Sequence, residues 1–104
     1  HPCTRWAGDT SANFEWLCDH AVAMSKEFTK RYGKVHFCEQ PALQMQSMSW
    51  FIPQDDLTPF AQAMPDQYRI PDDSVRAYRN YYIYEKSRFA KWERGTAPPR
   101  WYKV

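Results

Sequence analysis

The stretch between Pro71 and Gly95 constrains the fold most. Its apolar residues recur every three or four positions, which is the spacing of one face of an α-helix. The residues whose side-chain oxygens can cap its start are Asp72, Asp73 and Ser74. Gly95 suits its end. We predict one long helix over residues 73–94, with a core-facing stripe of Val75, Tyr78, Tyr82, Phe89 and Trp92.

A second long helix is predicted over residues 11–32. The apolar residues that keep the helical spacing there are Phe14, Leu17, Ala21, Met24, Phe28 and Tyr32. Gly33 suits its C-terminal end. Residues 1–9 lack this spacing and are predicted to form an N-terminal loop.

A third helix is predicted between these two. Pro41 suits its first turn, and it should end near Trp50 because Pro53 cannot continue a helix. It is apolar on two faces, so we expect it to be the most buried element. Thr58-Pro59 predicts a short fourth helix over residues 59–64, and two prolines predict an extended tail over residues 95–104.

These elements predict an all-α fold, a single small domain of three main helices and one short helix in 104 residues. Both long helices should pack on the third one. The residues expected to be buried are Leu17, Met24, Phe28, Leu43, Met48, Tyr82 and Phe89.

Composition narrows the class of protein. Hydrophobic residues make up 43% of the chain and aromatic residues 17%, which favours a packed domain over disorder. No apolar run approaches membrane-spanning length, so no membrane partner is expected. Three cysteines are an odd number and too few for a disulfide scaffold, which predicts free thiols and a cytoplasmic setting.

Charge is distributed unevenly along the chain. Residues 1–68 hold five basic and eight acidic residues, whereas residues 69–104 hold nine basic, four acidic and eight aromatic ones. Cations neutralise phosphates and rings stack on unpaired bases, so this pattern favours DNA or RNA as a partner. The predicted nucleic-acid-binding residues are Arg76, Arg79, Lys86, Arg88, Arg94, Arg100, Trp101 and Tyr102. For the two last rings, packing inside the protein is an equal alternative.

Two short patterns resemble metal-ligand pairs, Cys18-x-His20 and His36-x-Cys38. Residues two apart on a helix point about 200° apart, so the first pair cannot share one ion. We predict no metal site. The sequence has no glycine-rich phosphate loop, and no cofactor is expected.

Four residues are candidates for catalysis, because a carboxylate beside a histidine can transfer protons. They are His1, Glu15, His36 and Glu39. Nothing in the sequence brings any two of them together.

The quoted residues also carry a resemblance. The chain resembles a family of small helical proteins of tailed bacteriophages and some bacteria, in segments 1–3 (H-P-C), 31–34 (R-Y-G-K), 58–66 (T-P-F-A-Q-A-M-P-D) and 77–82 (A-Y-R-N-Y-Y). Further matches extend this over nearly the whole chain. The resemblance implies a phage-associated protein in the cytoplasm of a bacterial host cell.

Members of that family carry an upstream helical segment with a Cys-Asp-Lys-His run, which this sequence does not contain. Three explanations stay open: a fragment, a naturally short version, or one half of a complementary pair. The missing segment itself would then be a protein partner.

The tail, Arg100-Trp101-Tyr102-Lys103, is also similar to the tail of the phage pyrimidine-dimer DNA glycosylases. That similarity implies a base-flipping enzyme in which an N-terminal amine, here that of His1, attacks the sugar with help from Glu15 or Glu39. If the chain is an enzyme, glycosylase/lyase-like or nuclease-like action on DNA is implied.

The leading hypothesis is a nucleic-acid-binding or DNA-processing protein that uses its basic, aromatic C-terminal third. The alternative is a non-catalytic protein-interaction module, a virion component or a host-factor binder. A small-molecule enzyme is the third class. Nucleic-acid binding requires an exposed basic face, a protein interface requires exposed rings in one apolar patch, and an enzyme requires His and Glu in one cleft.

Overall fold

The computed structural model describes residues 1–90, 92, 95 and 97–102, and these contain helices and no strand. The α-helices are α1 (Pro2–Asp9), α2 (Ser11–Tyr32), α3 (Glu39–Met45) and α4 (Ser74–Tyr81). Short 3-10 turns lie at Ser49–Phe51 and Asp66–Tyr68, and α4 continues into a π-helical turn (Tyr82–Lys86) and a last 3-10 turn (Ser87–Phe89). The prediction of an all-α fold is confirmed.

The N-terminal loop predicted for residues 1–9 is wrong, because α1 occupies this region. Pro2 takes the first helical position, where its missing N–H costs nothing. The Nδ1 atom of His1 accepts the N–H of Cys3 at 3.1 Å and caps the helix start. The chain becomes extended at Thr10, which separates α1 from α2.

The second long helix has the predicted bounds. The Thr10 hydroxyl accepts the N–H of Asn13 at 3.0 Å and caps α2. At the other end Gly33 adopts a left-handed conformation, with φ of 72°, and donates its N–H to the carbonyl of Thr29 at 2.7 Å.

The third predicted helix is shorter and less buried than expected. It runs over Glu39–Met45, and only Ala42 within it is buried. It packs on α2, where Glu39 pairs with Lys26 at 3.8 Å and the side-chain amide of Gln46 donates to Asp19. It does not fill the space between the two long helices as predicted, since α4 packs instead on the segment before it.

No helix forms over residues 59–64, so that prediction is wrong. Side chains satisfy the backbone there: the hydroxyl of Tyr78 donates to the carbonyl of Ala61 at 2.6 Å and accepts the N–H of Ala63 at 2.9 Å. The amide of Gln62 likewise bonds both the N–H and the carbonyl of Ile70. An extended segment held by such bonds needs no helical hydrogen bonds.

The helix predicted over residues 73–94 is α-helical only to Tyr81 and ends at Phe89, where Ala90 becomes extended. Trp92 therefore lies outside the helix, with its ring 4.6 Å from that of Tyr102. This tertiary contact outweighs local propensity and ends the helix well before Gly95. The tail is not simply extended either, because the N–H of Tyr102 bonds the carbonyl of Pro99 in a turn.

The buried residues differ from those predicted. Of the seven expected in the core, none is fully buried, and Met24 and Phe89 are 61% and 63% exposed. The helical period was read correctly, but the conclusion that these faces are covered is wrong. The apolar residues that are buried are Trp6, Ala7, Cys18, Val22, Ala42, Ile52 and Ala77.

A hydrogen-bonded hub holds α1, α2 and the segment at Thr58 together. Asn13 is 0% exposed, and its amide nitrogen donates to the carbonyl of Trp6 at 3.0 Å and to the hydroxyl of Thr58 at 2.8 Å. Its amide oxygen accepts the N–H of Thr58 at 2.9 Å. Each hydrogen-bonding atom of this buried side chain has a partner, so the polar cost of burial is offset.

Candidate binding groove

An open groove of about 990 Å³ lies between α2, α4 and the C-terminal segment. Ligand sites in proteins typically have volumes of about 300–1,000 Å³, so the groove is large enough for a substantial ligand or a protein segment. Its lining is mainly aromatic and aliphatic. We call it the apolar groove.

The wall formed by α2 is a ridge of side chains spaced four residues apart. Its members are Trp16, His20, Met24, Phe28 and Tyr32. A four-residue ridge runs obliquely, about 26° from the helix axis. At 1.5 Å per residue, the ridge covers about 24 Å along α2. The groove is therefore elongated.

The opposite wall comes from α4 and the π-helical turn. It holds most of the stripe predicted for this helix, namely Val75, Tyr78 and Tyr82. Val75 is 59% exposed and Phe89, the stripe residue outside the groove, is exposed as well. Parts of the predicted apolar faces of both long helices therefore line one groove, with Met24, Phe28 and Tyr32 from α2. Within this groove Met24 and Val75 are exposed, whereas Tyr82 is partly covered by Trp101.

The C-terminal segment forms the third wall. Its rings are held by contacts within the protein: the centroid of Trp101 lies 5.9 Å from that of Tyr82, and Tyr102 packs on both Tyr82 and Trp92. The two tail rings are partly buried. Packing, the alternative weighed for Trp101 and Tyr102, is therefore their observed state.

Three cations line the groove, each lying over a ring. Arg31 is 5.7 Å from the ring centroid of Trp92, Arg79 is 5.4 Å from that of Trp101, and the Lys86 ammonium is 5.3 Å from that of Tyr81. We call Arg31, Arg79 and Lys86 the groove cations. Cation–π contacts of this kind hold the charged groups at the ring faces.

Among the described residues, one carboxylate lines the same groove. Glu27 accepts from Arg31 at 2.9 Å, four residues along α2. Arg79 and Lys86 have no carboxylate partner among the described residues. The groove therefore has an excess of positive charge at an otherwise apolar surface.

The indole of Trp92 has an unmet requirement. Among the described residues, its Nε1 is the one buried side-chain polar atom with no hydrogen-bond partner. An unpaired buried donor is unfavourable, by about 1–3 kcal/mol. The nitrogen is shielded from solvent, so this cost belongs to the packing of the C-terminal segment and not to the open surface of the groove.

Tyr78 joins the groove to the rest of the fold through its hydrogen bonds to Ala61 and Ala63. Burial raises the pKa of this tyrosine, so its hydroxyl stays protonated at neutral pH and keeps both bonds. The Sγ of Cys3, which also lines the groove, lies 3.9 Å from the same hydroxyl.

The cysteines are all free thiols, as predicted. Burial, with Asp19 and Glu15 nearby, raises the pKa of Cys18, which makes its thiol a poor nucleophile at neutral pH. Within the part of the chain that is described, no group of three or more His, Cys, Asp or Glu side chains is placed to hold a metal ion.

The four candidate catalytic residues have separate partners. Glu15 accepts from the Ser49 hydroxyl at 2.7 Å, and Glu39 pairs with Lys26. The Nδ1 of His36 accepts the N–H of Cys38. His1 lines a second, shallower cavity of about 660 Å³, which also contains Arg5 and Asp9. The structure does not assemble them into one site.

The predicted nucleic-acid-binding residues divide into two groups. Arg79, Lys86 and Trp101 line the apolar groove. Arg76, Arg88 and Arg100 are exposed outside it, and Arg94 lies outside the described residues. The sequence analysis did not identify Trp16 and Arg31 as residues of the groove wall. The four-residue repeat from Trp16 to Tyr32 was a signal for the ridge.

No protein-family model, curated protein or solved structure matches the chain. The phage-family resemblance therefore stays a prediction. No helix among the described residues is long and apolar enough to cross a membrane.

Proposed function

We propose that this chain is a protein-interaction module whose apolar groove receives an amphipathic helix. The observation that carries the proposal is that apolar side chains of both long helices line one groove in which Trp16, Met24 and Val75 are exposed. In helix-in-groove recognition, an amphipathic helix lays its apolar face into such a surface. Soluble monomers seldom leave a large contiguous apolar surface open to water.

The lining favours a helix over sequence-specific recognition of bases. Such recognition requires hydrogen-bond partners for the base edges, whereas the groove offers mainly rings and aliphatic carbons. Full burial of an exposed apolar side chain such as Met24 or Val75 contributes about 1.5–3 kcal/mol. An apolar helix face would make use of several such residues at once.

The family resemblance provides one candidate for the occupant. It implies an upstream helical segment, and a helix laid between α2 and α4 would cover residues that the sequence predicts to be buried. In this form of the proposal, the partner is the upstream helical segment of the similar phage proteins, and binding takes place in a bacterial host cell.

A matched pair of valine variants tests the proposal. Val75 lines the groove, whereas Val35 is 69% exposed and lies outside it. Val75→Asp should weaken binding of a labelled amphipathic peptide of about 16 residues by at least tenfold, while Val35→Asp should not, because only the former places a carboxylate in the contact. Fluorescence anisotropy measures both. Equal binding by the two variants, or no binding by the wild type, would contradict the proposal.

A second candidate is nucleic-acid binding by the basic C-terminal third, the leading hypothesis from the sequence. The exposure of Arg76, Arg88 and Arg100 supports it. The mobility of single- and double-stranded DNA in a gel should then shift at about 50 mM salt and much less at about 200 mM, because phosphate contacts release counterions. No shift at the lower salt would exclude this candidate.

A further inference from the structure

We propose that the helix received by the apolar groove is acidic, with carboxylates beside its apolar face. This inference rests on the proposed function and adds the chemistry of the partner. The charge of the groove carries it, through Arg79 and Lys86.

The charges of the groove favour a carboxylate partner. Glu27, which lines the groove, is paired with Arg31. Elsewhere in the described chain, Lys26 and Arg69 have carboxylate partners of their own. Arg79 and Lys86 have no carboxylate partner among the residues that the structure describes, although both lie at the surface that a partner would cover.

The cations are also held in position. Arg79 lies over Trp101 and Lys86 over Tyr81, so their charged groups are partly ordered before a partner arrives. Less side-chain entropy is then lost on binding. A carboxylate that meets an ordered cation at the edge of an apolar contact is less screened than one at a freely exposed pair.

The same charges discriminate against other helices. A basic helix would meet repulsion from the groove cations. An apolar helix without carboxylates would cover Arg79 and Lys86 without offering either of them a partner.

The ridge on α2 sets the length of the proposed partner helix. About 24 Å corresponds to a helix of about 16 residues, or four to five turns. Two synthetic peptides of that length serve as probes. Both carry leucine and phenylalanine at helical spacing on one face; one has glutamate beside this face and the other has lysine.

The experiment measures the affinity of both labelled peptides by fluorescence anisotropy. At about 50 mM salt the glutamate peptide should bind at least tenfold more tightly than the lysine peptide, and the difference should narrow at about 500 mM salt. The preference for the glutamate peptide over the lysine peptide should fall severalfold in the Arg79→Ala and Lys86→Gln variants. Circular dichroism checks that each variant is folded, and Lys86→Gln tests the proposal if Arg79→Ala is not.

Arg88→Ala is the matched control. Arg88 also lies over a ring, 4.7 Å from the centroid of Phe89, but outside the groove, so its loss should leave the preference unchanged.

The outcomes separate this inference from the proposed function. Equal affinity for both peptides, with no effect of Arg79→Ala, overturns the acidic helix but leaves a groove that binds helices. No binding of either peptide overturns both. Displacement of the glutamate peptide by a single-stranded oligonucleotide of higher affinity, or concentration-dependent dimerisation abolished by Val75→Asp, would overturn the acidic helix in favour of nucleic acid or a second copy of the chain.

Discussion

The hub around Asn13 and the apolar groove are built from the same helix but differ in how completely their groups are partnered. At the N-terminal end of α2, every hydrogen-bonding atom of the Asn13 side chain has a partner within the protein. Further along the same helix, Met24 is exposed, and in the facing wall Trp92 has an unpaired donor. The hub satisfies its polar groups within the protein, whereas the groove exposes apolar side chains and contains one buried donor without a partner among the described residues.

The largest loss of stability is expected for a substitution in the hub. Asn13→Ala should lower the free energy of unfolding by about 2–4 kcal/mol, because it leaves the Trp6 carbonyl and the Thr58 N–H without a partner. Asn80→Ala, at a partly exposed position on α4, is the control and should change stability far less. Chemical denaturation measures both. A similar loss of stability in the two variants would show that the hub contributes no more to folding than a partly exposed helix position does.

A smaller effect is expected where the two regions meet. Tyr78→Phe removes the hydroxyl that bonds Ala61 and Ala63 but keeps the ring in the groove wall. We expect a loss of about 1–2 kcal/mol. If stability is unchanged, the extended segment before α4 is held by something other than this hydroxyl.

The pH dependence of stability follows from the same residue. The pKa of Tyr78 is raised in the folded protein, so its contribution is fully present below the unfolded pKa and is lost as pH rises through the folded value. Stability should therefore fall above about pH 10. The fall should be shallower in Tyr78→Phe than in the wild type, as thermal melts at several pH values would show.

The smallest effect is expected in the groove. Met24→Gln should change the free energy of unfolding by no more than about 0.5 kcal/mol, because the side chain is exposed in the unliganded protein. Val22→Gln, two residues away but buried, is the matched comparison and should be strongly destabilising. A large loss in Met24→Gln would mean that the groove is closed in solution.

The sequence predicted what repeats locally and missed what depends on distant contacts. Gly33 and the apolar spacing were sufficient for α2, because capping and helical period are local properties. The bend at Ala90 depends on contacts between Trp92 and the tail, and the extended segment at Ala61 depends on Tyr78, far along the chain. No local pattern contains those pairings.

The candidate site shows the same limit. Periodicity identified the apolar faces that line the groove, including Met24, Phe28, Val75 and Tyr82. It could not show whether another element covers them, since a buried face and a docking face have the same spacing. The positive charge of the C-terminal third could be read from the sequence. The cation–π contact between Arg79 and the ring of Trp101 could not, because the fold brings the two residues together.

The most direct test of the account is heteronuclear NMR of the five tryptophan indole N–H groups during titration with the glutamate peptide. Trp16, Trp92 and Trp101 line the groove, whereas Trp6 belongs to the hub and Trp50 is 76% exposed outside it. The signals of the groove indoles Trp16 and Trp101 should shift, because the bound helix changes the surroundings of their rings, while those of Trp6 and Trp50 stay nearly fixed. Shifts confined to Trp50, or unchanged signals of Trp16 and Trp101 at saturating peptide, would contradict the account.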